Sequence, residues 1–486
     1  MNFKNLKQMK LNKLKTLALA SLLLGSVSCQ RYLDEPQPTN EISPSLVFAS
    51  IENAEANLTG ITSLLRGDNE TYISTTVDAT NLGSVYFART VRGEDFIVLS
   101  NWFAGDYSNT NRISIYRRAK FTWEYFYKII RQCNEFIDGV NKSSNIADTQ
   151  KKSLIARAKV LRALSYFEVV QDFQLGYKYA KDLPAVPIYN SYSTKAQPLS
   201  TTGEVYNFIT NDLETALPDL SYSRISKAFV NKQVAYAIAA RVYQVKENWQ
   251  KAAEYAKLAY GGTVSSALNA AEYAEGFKKL DSQEWILGYG QQAGQSITWS
   301  QAPHSFTDLS FENDGYSNTY VSKSLYDLFS DTDVRKLFDV NPSVNNHTKY
   351  STYKFTFNKD ASACPYIRTS EMILIEAEAK YRLGQESQAK DLLFQLQQNR
   401  DPKAVKSANT GEELFEEILI ERRKELYGEI GVELYDARRL SLPLKRSSWH
   451  PVSLSFEIND KKIIYQYPQQ EIDANPYLST NINSDR

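Results

Sequence analysis

Cysteine and histidine are scarce in this 486-residue chain, three of each. The histidines (His304, His347 and His450) stand alone in turn-like sequence, and there is no HExxH, no CxxC and no His/Asp cluster. Transition-metal chemistry therefore has no support from the residues. Neither sign of charge is in excess, since Lys+Arg and Asp+Glu both total 56. A chain of zero net charge exerts no broad pull on polyanions, which removes nucleic acid from the expected partners. The apolar run at 17–27, broken by Ser21, Gly25 and Ser26, is shorter than the ~20 residues a bilayer span needs. Cys133 and Cys364 have no spacing that argues for a disulfide and read as small buried residues.

What is present begins with a basic head. Lys4, Lys7, Lys10, Lys13 and Lys15 precede the apolar run, and the small residues Ser26 and Ser28 flank Val27 directly before Cys29. That is the layout of a cleaved secretory signal, with Cys29 in the place of the cysteine of a bacterial lipobox. Cys29 is therefore expected to receive lipid and become the new N-terminus. Residues 1–28 form the signal and 29–486 a single domain; Met9 to Cys29 alone would also make a complete signal, so either Met1 or Met9 fits as the start.

Aromatic residues are abundant, with 32 Tyr, 22 Phe and 6 Trp making 12% of the chain. Tyrosine packs flat with one polar end, so these residues serve a core, a recognition surface or both. Helical periodicity is seen at 113–140, 148–173, 203–217, 231–246 and 249–259, whereas 71–107 reads as loops or short strands with Gly83, Gly93 and Gly105 as breakers. "VAYAIAARVYQVKENWQKAAEYAKLAY" has alanines at close-packing positions in two helices joined by a short turn, a tetratricopeptide-type hairpin. "ILIEAEAKYRLGQESQAKDLLFQLQ" repeats it more weakly. Such hairpins bury their apolar faces only by stacking. The expected pairs are 113–173, 203–246, 249–259 with 369–383, and 386–428. The fold class is thus mainly α, a tetratricopeptide-like superhelix with repeats at about 113–260 and 369–440 and a large loop-rich insertion at about 261–365 forming a cap. A loop of that length inside a compact domain is usually functional.

In one order along the chain come the lipobox, "YLDEPQP", "ARAKVLRALSYFEVVQDF" leading to "DLPAVPIYN", "EVYNFITNDLETALPDL" with "KAFVNKQVAYAIAARVYQ", "YIRTSEMILIEAEAKYRLGQ", "ILIERRKELYGEIGVELYDARRL" and "YPQQEIDANPYLSTN". Together they resemble the SusD/RagB family of Bacteroidetes nutrient-uptake lipoproteins over nearly the whole chain. The chain departs from the family at "EIGVELYD", where an extra residue puts Glu433 in the usual place of an arginine and leaves open the ion network around Glu429, Asp436 and Arg438. It departs again at "QDFQLGYKYAKDLPAVPIY", which is longer than usual. The resemblance implies a cell-surface lipoprotein of the outer membrane that captures oligosaccharide and, as a lid, delivers it to a SusC-like TonB-dependent transporter. Peptide capture by the same kind of lid, and a helical scaffold without a small ligand, are the alternatives.

Aromatic faces stack on sugar rings while polar neighbours bind the hydroxyls, so ligand residues are expected on exposed loops. Trp102 and Tyr107 in "SNWFAGDYSNT", and Trp299, Tyr316 and Tyr320 in the insertion, are the candidates, with Arg89, Arg92 and Asn101 as polar neighbours. Trp123 and Trp249 are assigned to helical core faces and Trp285 to a buried strand. No catalytic residues are assigned, because no carboxylate pair has a spacing that sequence can fix, and the expectation is not an enzyme. "FENDG" offers oxygens to calcium but lacks the full alternating-ligand loop; no cofactor is expected beyond the lipid. "ERRKE" at 421–425 reads as a solvated helix face or a helix-to-helix staple.

Overall fold

The structure, a computed structural model, describes residues 44–67, 78–275, 277, 280–290, 318–355 and 363–486. Helix α1 (Ile51–Ser63) starts where Ser50 Oγ accepts from the Asn53 N–H, and α2 (Leu82–Thr90) starts at Asn81, which exchanges bonds with Ser84. These side chains satisfy N–H groups that the first turn leaves without partners. Strand β1 (Phe96–Val98) follows, then α3 (Arg117–Lys142), α4 (Asp148–Phe173), α5 (Thr202–Ala216), α6 (Lys232–Val245) and α7 (Trp249–Tyr260). The insertion contributes β2 (Trp285–Gly290), β3 (Thr319–Val321), β4 (Phe338–Val340), β5 (Tyr350–Thr352) and β6 (Ala363–Arg368). The chain then returns to helix in α8 (Thr369–Arg382), α9 (Glu386–Arg400), α10 (Gly411–Leu426), α11 (Val432–Leu440) and α12 (Gln469–Ala474).

The helices stack in sequence. α3 packs on α4, α4 on α5, α5 on α6, α6 on α7, α7 on α8, and α8 on α9 and α10. All four expected pairs are in contact, including α7 with α8, whose sequences lie about a hundred residues apart. Ala237, Ala240, Ala252 and Ala256 are fully buried, and their short side chains let the helices approach closely. The insertion leaves and returns at one place because β2 and β6 pair antiparallel, Trp285 opposite Arg368 and Gly290 opposite Ala363. Trp285 is buried in that pair, Trp123 is buried and Trp249 packs against the core, as their patterns predict. Cys133 and Cys364 are both buried thiols.

Residues 82–90 are helical where loops or strands are predicted, and every residue of α2 is buried, so the segment has no polar face to give a helical period. "ERRKE" is a helix-to-helix staple rather than a solvated face, since Glu421, Arg422 and Glu425 are buried and Arg422 and Glu425 pair with Asp436 and Arg400 of neighbouring helices. Glu421 and Glu425 also belong to an interior charge network that ties the insertion to the repeats. Arg368 Nε and Nη2 donate to Glu429 at 2.8 and 2.6 Å, and its Nη1 donates to Glu425 at 2.8 Å and also to Glu284. Arg400 reaches Glu425 and Glu284, Arg335 reaches Asp333, Glu421 and Glu425, and Lys354 donates to Glu429 at 2.8 Å. Burial alone would raise the Glu425 carboxyl, but the guanidiniums of Arg400, Arg368 and Arg335 hold it well below the usual range. Burial wins at Lys354, whose ammonium falls to about 8 despite Glu429. Asp436 pairs with Arg422 and Arg439, while Arg438 donates to the Gln174 carbonyl.

Candidate functional site

The candidate surface is built where β1 meets β3. These strands pair antiparallel, with Phe96 opposite Val321, Ile97 opposite Tyr320 and Val98 opposite Thr319. The ladder continues as the Leu99 N–H donates to the Asn318 carbonyl at 3.2 Å, and Asn318 Nδ2 donates back to the Ser100 carbonyl at 3.2 Å. Asn101 then closes the turn in both directions. Its Nδ2 donates to Thr319 Oγ1 at 2.9 Å, and its Oδ1 accepts from the Phe103 N–H at 2.8 Å. Two stretches more than two hundred residues apart, each singled out by its aromatics, are thereby joined at one sheet edge.

Trp102 sits half-buried on this turn, with the Arg117 guanidinium 5.8 Å from its ring centroid. Arg117 is itself fixed, because its Nε bonds to Asp78 at 2.8 Å and its Nη2 to the Trp102 carbonyl at 3.3 Å. Tyr320 is half-buried beside the same small core, and Leu99 is exposed. The support beneath is aromatic and tight: Phe103 meets Phe87 edge-on at 4.8 Å, and both are fully buried. Asn101, Trp102 and Tyr320 thus share a rigid base and keep access to solvent.

Three of the other candidates are not at the surface. Tyr107 is 1% exposed, its hydroxyl 2.9 Å from His450 Nδ1 and its ring under the Arg446 guanidinium at 3.9 Å. Burial pushes its phenol up to about 12. Arg89 lies on fully buried α2 and holds Asp172 through two bonds of 2.9 and 2.7 Å, with Glu168 on Nη1. Arg92 is spent on Asn109 Oδ1 and the Ile463 carbonyl, at 3.1 and 2.8 Å. A buried cation must keep such partners, so neither arginine is available to a ligand. Trp299 and Tyr316 lie outside the described residues, as do Cys29 and the "FENDG" oxygens considered for calcium.

Sequence reasoning passed over the groups that hold the turn from below. His450 Nε2 contacts the Glu94 carbonyl at 2.8 Å and its carboxylate at 3.2 Å. Burial acts to raise the Glu94 carboxyl, yet hydrogen bonds from His450 and Ser447 outweigh it and hold the group at about 2. His450 comes from a loop near the C-terminus, and no local pattern announces that it meets residues 94 and 107. The Glu433 carboxylate, the family departure, accepts from the Glu94 and Asp95 N–H groups at 3.0 and 2.9 Å. Burial, with the Asp95 charge adding to it, pushes Glu433 up to about 8. Among the described residues no group of His, Cys, Asp and Glu is arranged to hold a metal, and no helix is long and apolar enough to cross a membrane.

Two family models match the chain. One, described as starch-binding associating with outer membrane, covers residues 57–244, and the SusD family model covers 341–483. In both stretches the chain is similar to SusD-family proteins. Family members are binding proteins associated with the outer membrane. A SusD-like protein P2 of Formosa agariphila is 24% identical over 376 residues, which is 66% of this chain and 71% of that one. A SusD-like protein of Bacteroides ovatus is 26% identical over 132 residues, 26% of this chain and 22% of its own length. The chain therefore matches between about a fifth and seven-tenths of the length of these relatives. Among solved structures, a SusD-like carbohydrate binding protein from Bacteroides vulgatus superposes with a TM-score of 0.78 at 24% identity, covering 89% of this chain and 98% of that one. Surface glycan-binding protein A from Bacteroides fluxus superposes at 0.69 with 18% identity, covering 90% and 98%. These likenesses establish the SusD fold, tetratricopeptide-like and helical.

Proposed function

We propose that this protein is a cell-surface glycan-binding lipoprotein that takes up oligosaccharide on the Asn101, Trp102 and Tyr320 surface. One observation carries the reading: the bond between Asn101 and Thr319 joins the two aromatic-bearing stretches, so an indole, a phenol and a neutral amide share one rigid edge. A weakly polar, flexible sugar chain gains most from flat faces already held in place, because little side-chain entropy is lost on contact. Trp299 and Tyr316 are proposed as further contacts for the same ligand. In this reading Cys29 carries the lipid that keeps the protein at the outer membrane. The bound glycan passes to a SusC-like TonB-dependent transporter, over which the protein acts as a lid. The carbohydrate and glycan binding named for the Bacteroides vulgatus and Bacteroides fluxus proteins supports this choice over peptide capture.

The test is binding of purified protein to a panel of polysaccharides and peptides, by affinity electrophoresis and calorimetry, with Trp102→Ala alongside. Removing the indole is expected to weaken glycan binding by about ten-fold or more, the loss of ~1.4 kcal/mol of stacking. Peptides bound in place of glycans, or a variant that binds like the parent, would end the proposal. Turnover of any polysaccharide by the purified protein would show an enzyme instead.

A further inference from the structure

A cleft of about 290 Å³ opens between α3 and the loop at 187–193. It involves no residue of the Asn101, Trp102 and Tyr320 surface. Its walls are aromatic: Trp123 and Tyr127 lie 4.7 Å apart on α3, and Tyr189 and Tyr192 face them from the loop. The loop is bolted to the helix. Tyr127 donates to the Pro187 carbonyl at 2.8 Å, Asn134 Nδ2 to the Tyr189 carbonyl at 2.9 Å, and the Tyr192 N–H to Asp138 at 3.0 Å. A cleft with its walls already fixed loses little entropy when filled.

Charge divides the cleft lengthwise. Glu124 lies toward the start of α3, and Glu471 joins it there, anchored by the Trp123 indole N–H at 3.2 Å and by Asn475 Nδ2 at 2.9 Å. Lys128 and Arg131 lie farther along, Arg131 about 10 Å beyond Glu124 at 1.5 Å of rise per residue. Burial and then the Arg131 charge lower the Lys128 ammonium, so the two cations repel each other across one end of the cleft. The exposed Arg131 guanidinium offers bidentate bonds to an anion at this end, while carboxylates at the other end accept hydrogen bonds from hydroxyls. An extended peptide would want backbone groups to pair with, and the Pro187 and Tyr189 carbonyls are already engaged by α3.

We propose that this cleft is a second ligand site, specific for a sugar unit bearing a carboxylate, with its ring between the aromatic walls, its carboxylate toward Lys128 and Arg131, and its hydroxyls toward Glu124. The volume suits one such ring rather than a chain.

Calorimetric titration of the purified full chain with glucuronate, galacturonate and mannuronate tests this, with glucose, galactose, mannose and glycylglycine as comparisons. At least one acid is expected to bind about ten-fold more tightly than its neutral counterpart, a difference of ~1.4 kcal/mol. Arg131 and Tyr192 are exposed, so Arg131→Gln and Tyr192→Ala are expected to fold, which circular dichroism checks. Each is expected to weaken the acid by about five-fold or more, and Arg131→Gln alone is expected to narrow the preference for acid over neutral sugar. No binding by any of the three acids overturns the proposal. So do equal binding of the neutral sugars, binding of the dipeptide alone, and folded variants that bind as the parent does.

Discussion

Replacing Arg368 with methionine tests whether the interior charge network is the joint between insertion and repeats. Arg368 is fully buried and bonds to the carboxylates of Glu284, Glu425 and Glu429 and to the Glu425 carbonyl. Methionine fills much of the space, so the loss is mainly electrostatic. Breaking a buried pair by removing one partner costs roughly 3–5 kcal/mol, because a charge is left uncompensated. Here the lower end applies, since Arg400 still faces Glu284 and Glu425 and Lys354 still faces Glu429. At ~2.1 cal/mol/K of unfolding entropy per residue over the roughly 400 described residues, 3 kcal/mol lowers Tm by about 4 °C. Adding Glu284→Gln to Arg368→Met restores the charge balance, so the double variant is expected to exceed the sum of the single ones by at least about 1 kcal/mol. Melting followed by circular dichroism on all four proteins supplies the cycle. A single variant within 1 °C of the parent, or strictly additive effects, would refute the idea that these charges act as one unit.

Other perturbations have definite signs. The folded Lys354 ammonium at about 8 lies below its ordinary value of 10.5, so between these limits the unfolded chain holds a proton the folded one has released, and this group's contribution to stability rises with pH. Below about pH 8 the cost of burying the ammonium is present in full, and the urea stability of the parent minus that of Lys354→Met should rise from pH 8 to 10.5. Gly431→Ala is expected to destabilise by about 2 kcal/mol or more, because φ is 70° there and a Cβ would stand 2.5 Å from that of Arg89; a melting curve unchanged within 1 °C contradicts this. His450→Ala removes a partner of the Tyr107 hydroxyl and one of Glu94, and hydrogen exchange should lose protection first across residues 94–107. Uniform loss over the whole chain would mean that His450 does not act locally.

The helical body was legible because its chemistry is local. Alanines spaced for close packing mark α6 and α7, the Thr201 and Glu204 capping box sits just where α5 begins, and α4 runs over its expected residues 148–173. The pairing of α7 with α8 was legible too, since each has an apolar face that requires a partner. What stayed hidden depends on contacts distant in sequence. α2 is buried all round and so carries no helical period, and Arg89 and Arg92 look like surface residues until Asp172 and Ile463 are brought to them. Tyr107 reads as a loop aromatic because nothing near it announces His450, more than three hundred residues away. Asn101 and Trp102, expected on an exposed loop, lie half-buried on a turn, since a turn after a short strand leaves its tip partly in solvent whatever the rest does.

On the proposed function, a sugar chain rests on the turn at Asn101 and Trp102. The most direct measurement is a crystal structure of the protein with an oligosaccharide taken from the panel that binds it. A sugar ring is expected within about 4 Å of the Trp102 indole face, with a hydroxyl bonded to Asn101. A well-ordered oligosaccharide seated elsewhere, touching neither Trp102 nor Asn101 nor Tyr320, would contradict it.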